Sequence, residues 1–207
     1  MSVMAERSYR GLFWGLALGG VALDQIGKYG IFTWLYNNGQ GGYQQVVPGA
    51  FRLVAAFSGQ TDPGGVLAPL RTVGGDILPM VNHGALFGLG NSPGLANWVF
   101  AVVSIVAAVG IIYWTTRRAT ARDWPLCAAL GLILAGTLGN LYDRLVFDGV
   151  RDFLHFYLID WPVFNIADCC LVCGAFLLLA QAFLGRQAKE TQPPAQTEKA
   201  QAMAPTK

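Results

Sequence analysis

Long stretches without charge are the feature that most limits what this chain can fold into. Residues 95–114 and 124–142 contain no charged side chain, and residues 161–184 contain only Asp168. A helix of about 20 residues crosses the roughly 30 Å hydrocarbon core of a bilayer. The apolar residues run continuously and do not alternate, which excludes a transmembrane β-barrel. The pattern therefore predicts a helical membrane protein.

A fourth stretch, residues 11–34, is apolar but is interrupted by Asp24 and Lys28. Only 13% of the 207 residues are charged, against about 25% in soluble domains. The tryptophans lie near the ends of the stretches, where indole rings favour the headgroup zone. The fold class is accordingly predicted as an all-α membrane protein, a four-transmembrane-helix bundle with a small extracytoplasmic β-sheet subdomain. Its predicted spans are about 11–34, 95–114, 124–142 and 161–184.

The distribution of Lys and Arg predicts the orientation, because cytoplasmic loops carry an excess of these residues. One side of the predicted bundle holds nine basic residues and the other side holds four. Both termini should therefore be cytoplasmic, with residues 35–94 and 143–160 outside. The nine are Arg7, Arg10, Arg117, Arg118, Arg122, Arg186, Lys189, Lys199 and Lys207, and the four are Arg52, Arg71, Arg144 and Arg151.

The two ends of the chain differ in character. The first apolar stretch is too long for a signal peptide and contains Asp24, so it is expected to remain as the first helix. Residues 187–207 consist mostly of Ala, Gln, Pro, Thr and Lys and are predicted to form a disordered cytoplasmic tail. The membrane domain is thus predicted over residues 1–186.

The outer segment, about residues 37–94, is predicted to be rich in β-structure. Residues 44–57 alternate loosely between apolar and polar types, which indicates one or two strands, and residues 77–81 suggest another. Between them, residues 58–75 are rich in Gly, Pro and Asp and are interpreted as an irregular excursion. A small sheet resting on the membrane surface would account for the segment.

Cysteine content and charge exclude several classes of function. All four cysteines fall in predicted spans, so a disulfide framework is not expected. Cys170 and Cys173 have the spacing of a metal or redox pair, but without a nearby histidine we interpret them as packing residues, and no metal is expected. The net charge is only +2 and no basic stripe with aromatics appears, so nucleic acid is not an expected partner.

Polar clusters near or inside the spans are functional candidates, because burying charge at bilayer depth is costly. Asp24 and Lys28 are spaced i, i+4 and form either a structural ion pair or part of a chemical site. His83 is a possible general base, although no Ser or Cys stands at a position that would make it the partner of a nucleophile.

Two aspartates are the strongest candidates for chemistry. Asp152 precedes a stretch, residues 153–159, that is apolar except for His155 and that should hold Asp152 against the membrane surface. Pro162 suits the first turn of the fourth helix, which would place Asp168 about 10 Å down that helix. Asn165 lies three residues before Asp168 and should share its face. Two carboxyl groups at matching depth favour an acid–base site.

In order and spacing, these motifs resemble the lipoprotein signal peptidase (signal peptidase II) family of bacteria over about residues 11–184. The most specific are G-N-x-x-D-R at residues 139–144 with an Asp eight residues after the Arg, and F-N-x-A-D at residues 164–168. The resemblance implies that Asp152 and Asp168 are catalytic. It further implies supporting roles in substrate binding for Asn82, Arg144 and Asn165, and mainly architectural roles for Asp24, Lys28, Asn140 and Asp143.

The resemblance also implies an activity. The family consists of intramembrane aspartic endopeptidases that remove the signal peptide from diacylglyceryl-modified prolipoproteins by cleaving before the lipidated Cys. A monomer in the bacterial cytoplasmic (inner) membrane, in contact with membrane lipid and with its site facing outward, is then expected, with no cofactor. The segment 58–75 and the tail exceed the usual family pattern.

Two other classes of function fit the sequence less well than an enzyme. A transporter would need polar groups along a continuous path, whereas the second and third predicted spans lack charged side chains. A structural membrane protein would need no pair of carboxylates.

Overall fold

The computed structural model describes residues 7–72, 74–84 and 93–190. Within these residues the fold is mostly helical, with short strands between the first two long helices and before the last one. The helices are α1 (Arg10–Trp34), α2 (Ala68–Arg71), α3 (Pro93–Thr115), α4 (Arg118–Arg122), α5 (Trp124–Phe147) and α6 (Ile166–Glu190). The strands are β1 (Gly42–Val47), β2 (Phe51–Ala55), β3 (Phe57–Thr61), β4 (Ile77–Pro79) and β5 (Leu154–Phe156).

Three helices of the described chain are long and apolar enough to cross a membrane: α3, α5 and α6, over Gly94–Thr115, Trp124–Phe147 and Ile166–Leu184. Helix α1 has a similar length of 25 residues but carries Asp24, Gln25 and Lys28 in its second half. The structure therefore supports a mostly helical membrane protein with three candidate spans and a small antiparallel sheet.

Helix α5 is the centre of the bundle and packs against α1, α3 and α6. Small residues allow the close approach of the helices, as is common in membrane bundles. A Cβ atom at Gly131 would lie 2.7 Å from the carbonyl oxygen of Phe13 in α1, and one at Gly174 in α6 would lie 2.8 Å from the carbonyl oxygen of Ala129. Larger residues at these positions would separate α5 from its neighbours.

The strands form two antiparallel sheets. The larger has the order β1-β2-β5, with Arg52 opposite His155 and Leu53 opposite Leu154. The smaller joins β3 to β4. Because side chains alternate along a strand, Leu53 and Ala55 point to one face of β2, where they pack against the apolar cluster that includes Phe32 and Phe153 at the end of the bundle.

Several boundaries differ from the sequence predictions. Helix α5 continues to Phe147, five residues past the predicted end at 142, because Asp143 is fully buried and paired and so does not end the helix. Helix α6 continues to Glu190, into the part of the chain predicted to be a tail. Residues 191–207 lie outside the described residues, as do residues 85–88 of the cluster that begins at Asn82.

The outer segment 58–75 is more regular than predicted. It contains most of β3 and all of α2. The hydroxyl group of Tyr29 in α1 donates to the carbonyl oxygen of Leu70 at 2.9 Å, and Arg71 pairs with Asp62 at 2.7 Å, which holds the pKa of Asp62 below its usual value. The glycines and prolines of the segment predict irregular structure, and the observed order was not predicted because it depends on contacts with α1 and β4.

Candidate active site

The start of α6 is fixed by a reciprocal pair of hydrogen bonds between Asn165 and Asp168. The amide side-chain oxygen of Asn165 accepts from the backbone N–H of Asp168 at 2.9 Å, and a carboxylate oxygen of Asp168 accepts from the backbone N–H of Asn165 at 3.2 Å. This is the capping-box arrangement, which satisfies two donors that a helix start leaves free.

Asp168 therefore lies in the first turn of α6 rather than about 10 Å down the helix, as the sequence had suggested. The prediction was wrong because residues around Pro162 are extended: Phe164 pairs with Leu154 by hydrogen bonds of 2.8 and 3.0 Å. The carboxylate consequently lies at the positive end of the helix dipole, where negative charge is favoured.

Asp152 is held between two asparagine side chains. Asn165 donates to one carboxylate oxygen at 2.7 Å, and Asn82 donates to the other at 3.1 Å. Asn82 is itself fixed by an antiparallel bridge to Val150, with hydrogen bonds of 2.8 and 3.0 Å. Asn165 thus contacts both aspartates and joins the two parts of the site.

The pKa of Asp152 is raised to about 6, because burial disfavours the charged form and the nearby charge of Asp168 acts in the same direction. The hydrogen bonds from Asn82 and Asn165 favour the charged form and offset part of the rise. A carboxyl group with this pKa is about half protonated at pH 6 and about one tenth protonated at pH 7.

Asn140 in α5 links Asp168 to Asn165 and to the buried side chain of Lys28. Its side chain donates to Asp168 at 2.8 Å and accepts from Asn165 at 3.1 Å and from Lys28 at 3.3 Å. One turn further along α5, Arg144 donates to the backbone carbonyl of Asn140 at 3.3 Å. The guanidinium of Arg144 lines a small cavity of about 70 Å³ together with both aspartates.

Beneath the aspartates lies a fully buried cluster of two acids and two bases. Lys28 contacts Asp24 at 2.8 Å and Asp143 at 3.4 Å, and Arg151 contacts Asp143 at 2.9 Å. All four side chains are 0% exposed. Asp24 also accepts from the backbone N–H of Ala167 at 2.9 Å, which ties α1 to the first turn of α6. The formal charges of the cluster cancel, as burial requires.

The sequence patterns did not predict a buried role for two members of this network. Gln25 donates to Asp24, Asp143 and the carbonyl of Gly139 at 2.9, 3.2 and 3.1 Å, and accepts from Arg151 at 2.9 Å. The distribution of basic residues predicts Arg151 to be an outer charge, whereas its guanidinium stacks on the rings of Tyr29 and Phe147, 4.3 and 3.9 Å from their centroids. The position of Gln25 beside Asp24 was the available clue, since polar residues at bilayer depth pair with one another.

Asp152 and Asp168 both line a cavity of about 580 Å³ between the extended segment and α6. Its walls are mostly apolar, and Val172 and Trp161 on its rim are 69% and 56% exposed. A second cavity of about 360 Å³ passes Asp152 on the side of β2 and β4. The residues shared by the two cavities are Asn82, Asp152, Pro162 and Val163.

The weaker candidates lie apart from this arrangement or only at its edge. His83 lines a separate cavity of about 500 Å³ with Arg71 and Asp148. Cys169 and Cys173 lie on the wall of the larger site cavity. Cys170 is buried against α1, where a Cβ atom at Gly20 would lie 3.4 Å from its sulfur. In the described residues no group of three or more His, Cys, Asp or Glu has the arrangement of a metal site.

The fold and the site define a mostly helical membrane protein in which two carboxyl groups share an apolar-walled cavity. The family model for signal peptidase (SPase) II matches residues 16–184. A lipoprotein signal peptidase of Rhodopirellula baltica is 39% identical over 186 residues, which cover 83% of this chain and 71% of the relative. Another, of Pseudomonas syringae pv. tomato, is 32% identical over 180 residues, which cover 83% and 85%. The chain belongs to the signal peptidase II family.

Two solved structures share the fold. One is a bacterial membrane enzyme determined by the in meso method at 2.3 Å resolution. Its TM-score is 0.67 at 23% identity, and the match covers 92% of this chain and 98% of the solved chain. Another, at 1.9 Å, has a TM-score of 0.64 and 24% identity, with 86% and 97% covered. The family resemblance inferred from the motifs is confirmed, and the chain is a membrane peptidase.

Proposed function

We propose that the protein removes the signal peptide from diacylglyceryl-modified prolipoproteins, cleaving before the lipidated Cys with Asp152 and Asp168 as an aspartic dyad. The relatives named lipoprotein signal peptidases support the substrate class. The observation that carries the dyad is that Asn165 bonds both aspartates where they line one apolar-walled cavity. Among the described residues, Asp152 and Asp168 accept hydrogen bonds from asparagine side chains, whereas the acids of the buried cluster pair with Lys28 and Arg151.

The environments of the two carboxyl groups suggest different roles. Asp152, with its pKa raised to about 6, is the better holder of a proton and donates a hydrogen bond to the scissile carbonyl oxygen. Asp168 accepts hydrogen bonds from the side chain of Asn140 and from the backbone N–H of Asn165, at the start of α6, where the helix dipole favours the carboxylate. In the proposed mechanism Asp168 takes the proton of the attacking water. As the water oxygen bonds to the carbonyl carbon, Asp152 transfers its proton to the carbonyl oxygen, so the pair of aspartates holds one proton before and one proton after the addition step.

The cavity suits a substrate that is part peptide and part lipid. Its exposed rim at Val172 and Trp161 opens toward the face of α6 that is apolar enough to meet lipid. A diacylglyceryl chain could therefore stay in the bilayer while the bond before the Cys reaches Asp152 and Asp168. Arg144 and Asn82 line the small polar cavity next to both carboxyl groups and are proposed to bind the substrate backbone.

The proposal includes the orientation of the chain in the membrane. We propose that α1 also crosses the membrane, because its buried acids and bases are neutralised inside the bundle. With four spans both termini are cytoplasmic, and the sheet and the dyad face outward. Asp24, Lys28, Asn140 and Asp143 then serve to hold α1, α5 and α6 in register beneath the dyad.

The test is direct cleavage. Full-length protein in lipid is incubated with a diacylglyceryl-modified prolipoprotein, and the product is identified by mass. Wild-type protein should release the signal peptide at the bond before the Cys. Asp152→Asn and Asp168→Asn should each lower turnover by at least about 10³-fold, and the double variant should be no worse than either one, because the pair acts as a unit.

The matched control is Asp76→Asn, a change of the same type at an exposed outer position, which should retain full activity. Near-normal turnover by either dyad variant would refute the dyad assignment. Cleavage of an unlipidated precursor at an equal rate would refute the substrate class and leave the dyad standing.

A further inference from the structure

Arg52 on the open face of the larger sheet is a cation without an acidic partner in the described part of the chain. Its Nε donates to Nδ1 of His155 at 3.1 Å. Its guanidinium lies over the rings of Tyr43 and Tyr157, each 5.1 Å from the centroid. By contrast, Lys28, Arg71 and Arg151 all contact carboxylates.

The surroundings of Arg52 leave polar donors available for a ligand. Because Nδ1 of His155 accepts from Arg52, its Nε2 carries the ring proton and can donate. The two Nη groups of Arg52 have no hydrogen-bond partner among the described residues. The hydroxyl group of Tyr157 is buried without a partner in the structure. A cation held between tyrosine rings with these donors matches an anionic oxygen group.

The segment directly after Tyr157 is exposed and apolar. Leu158, Ile159 and Trp161 are 71%, 66% and 56% exposed. Leu158 lies beside the turn between β1 and β2. Its backbone N–H donates to the carbonyl oxygen of Ala50 in that turn. Trp161 also forms the rim of the cavity whose other wall is the apolar helix α6. These side chains therefore lie at the level where α6 enters the bilayer.

Arg52 stacks on Tyr157, which directly precedes the exposed Leu158 and Ile159. A basic group beside exposed apolar side chains is the arrangement by which proteins hold the membrane surface: the apolar residues enter the acyl region and the cation meets the headgroups. We propose that Arg52, with His155 and Tyr157, binds the phosphate of an anionic phospholipid headgroup, while Leu158, Ile159 and Trp161 insert beside its acyl chains. The site lies on the opposite face of β2 from Leu53 and Ala55, and its occupant is a membrane lipid rather than the cleaved substrate.

A lipid bound at this site would help to hold the strand that follows Asp152 in place. β5 pairs with β2 and begins two residues after Asp152, so a lipid bound at Arg52 and His155 anchors the strand pair that leads into the site. Because binding does not involve Asp152 or Asp168, it is measurable in a protein that cannot cleave. The inference therefore stands or falls separately from the proposed peptidase mechanism.

The experiment uses full-length protein in neutral detergent, titrated with phosphatidylglycerol or phosphatidylcholine, with retained lipid counted by native mass spectrometry. Wild-type protein should retain phosphatidylglycerol at about tenfold lower lipid concentration than phosphatidylcholine, and Arg52→Gln should lose this preference. Arg71→Gln, an outer arginine that is already paired with Asp62, is the control and should keep it. Leu158→Gln should weaken both lipids equally, because it removes only the apolar contact.

Two further measurements test the proposal even if the Arg52→Gln variant fails to fold. Arg52→Lys keeps the charge and should keep the preference, and raising salt from about 0.01 M to about 1 M should abolish it in wild-type protein. Unchanged preference in Arg52→Gln, or a preference insensitive to salt, would overturn the site. Displacement of the lipid by inorganic phosphate at equal concentration would show a phosphate site and overturn the lipid assignment.

Discussion

The side chain of Asn165 donates to Asp152 at 2.7 Å from the position that caps helix α6. One residue therefore sets both where the last helix begins and where the first carboxylate lies. The cap oxygen and the donating nitrogen are separate atoms, so their effects can be separated by substitution.

We predict that Asn165→Ala lowers both stability and turnover, whereas Asn165→Ser lowers turnover alone. Serine keeps an oxygen that can cap α6, a contribution of about 1 kcal/mol, but cannot reach Asp152 with a donor. Both variants should lose about 10²-fold in kcat, since misplacement of a reacting group by about 1 Å has this cost. Thermal unfolding in detergent and steady-state cleavage measure the two effects. Equal unfolding temperatures for both variants would contradict the capping role.

The pH dependence should report the proton on Asp152. The proposed mechanism needs Asp152 protonated, so kcat/KM should fall as the pH rises through about 6, the pKa of this group. Asn82→Ala removes a hydrogen bond that lowers this pKa, so the alkaline limb of the profile should move to higher pH in the variant. Cleavage rates measured from about pH 4 to 9 at low substrate provide the test. A kcat/KM that rises as the pH increases through about 6, on an acid limb that moves to higher pH in the variant, would show that Asp152 acts as the base.

Lys28 should be essential to stability. Lys28→Met leaves Asp24 buried without its cation, and breaking a buried pair in this way costs about 3–5 kcal/mol. The double variant Asp24→Asn with Lys28→Met should recover part of the loss, because it removes the uncompensated charge. Unfolding curves of the single and double variants measure the coupling. A double variant less stable than Lys28→Met would mean that Asp24 is held mainly by the N–H of Ala167.

The outer segment should act in binding rather than in chemistry. Replacing residues 62–71 with a short Gly-Ser turn keeps β3 and β4 but removes α2 and its hydrogen bond from Tyr29. We expect kcat to stay within about twofold and KM to rise, since surface segments tolerate shortening. Tyr29→Phe, which removes the hydrogen bond alone, is the comparison. A collapse of kcat with KM unchanged would assign the segment to the active site.

The topology is tested by reporter fusions. The nine basic residues on the predicted inner side predict that the α3–α4 link and the end of α6 lie in the cytoplasm. Reporters fused after Thr116 and after Leu184 should therefore both behave as cytoplasmic. A fusion after Gly59, in the β3 strand, should behave as exported. An exported signal from the fusion after Leu184 would remove one of the four proposed spans.

The local motifs were visible in the sequence, whereas the contacts that position them were not. The spacing around Asp143, Asp152 and Asp168 is a property of the chain and led directly to the family. The late start of α6 depends on the pairing of Phe164 with Leu154, which are ten positions apart. Pro162 is compatible with both an extended segment and a first helical turn, so periodicity alone could not choose between them.

The burial of Arg151 is a second feature that the sequence alone could not predict. A basic residue after a span is normally solvated, and the sequence pattern treats it so. Its burial becomes favourable only when Asp143, Gln25 and the rings of Tyr29 and Phe147 surround it. Those partners come from two helices, and no local pattern records their approach.

The arrangement of the buried charges has a consequence for biogenesis. Asp24 and Lys28 are both on α1, while Asp143 and Arg151 are both in α5 and the segment that follows it. Each segment thus carries its own counter-ion and can leave the translocation machinery as an electrically neutral unit, before the other has been synthesised. The 3.4 Å contact between Lys28 and Asp143 forms only when the two units meet. Helix insertion and helix assembly can therefore be separate steps, with no stage at which a lone charge must wait in the lipid.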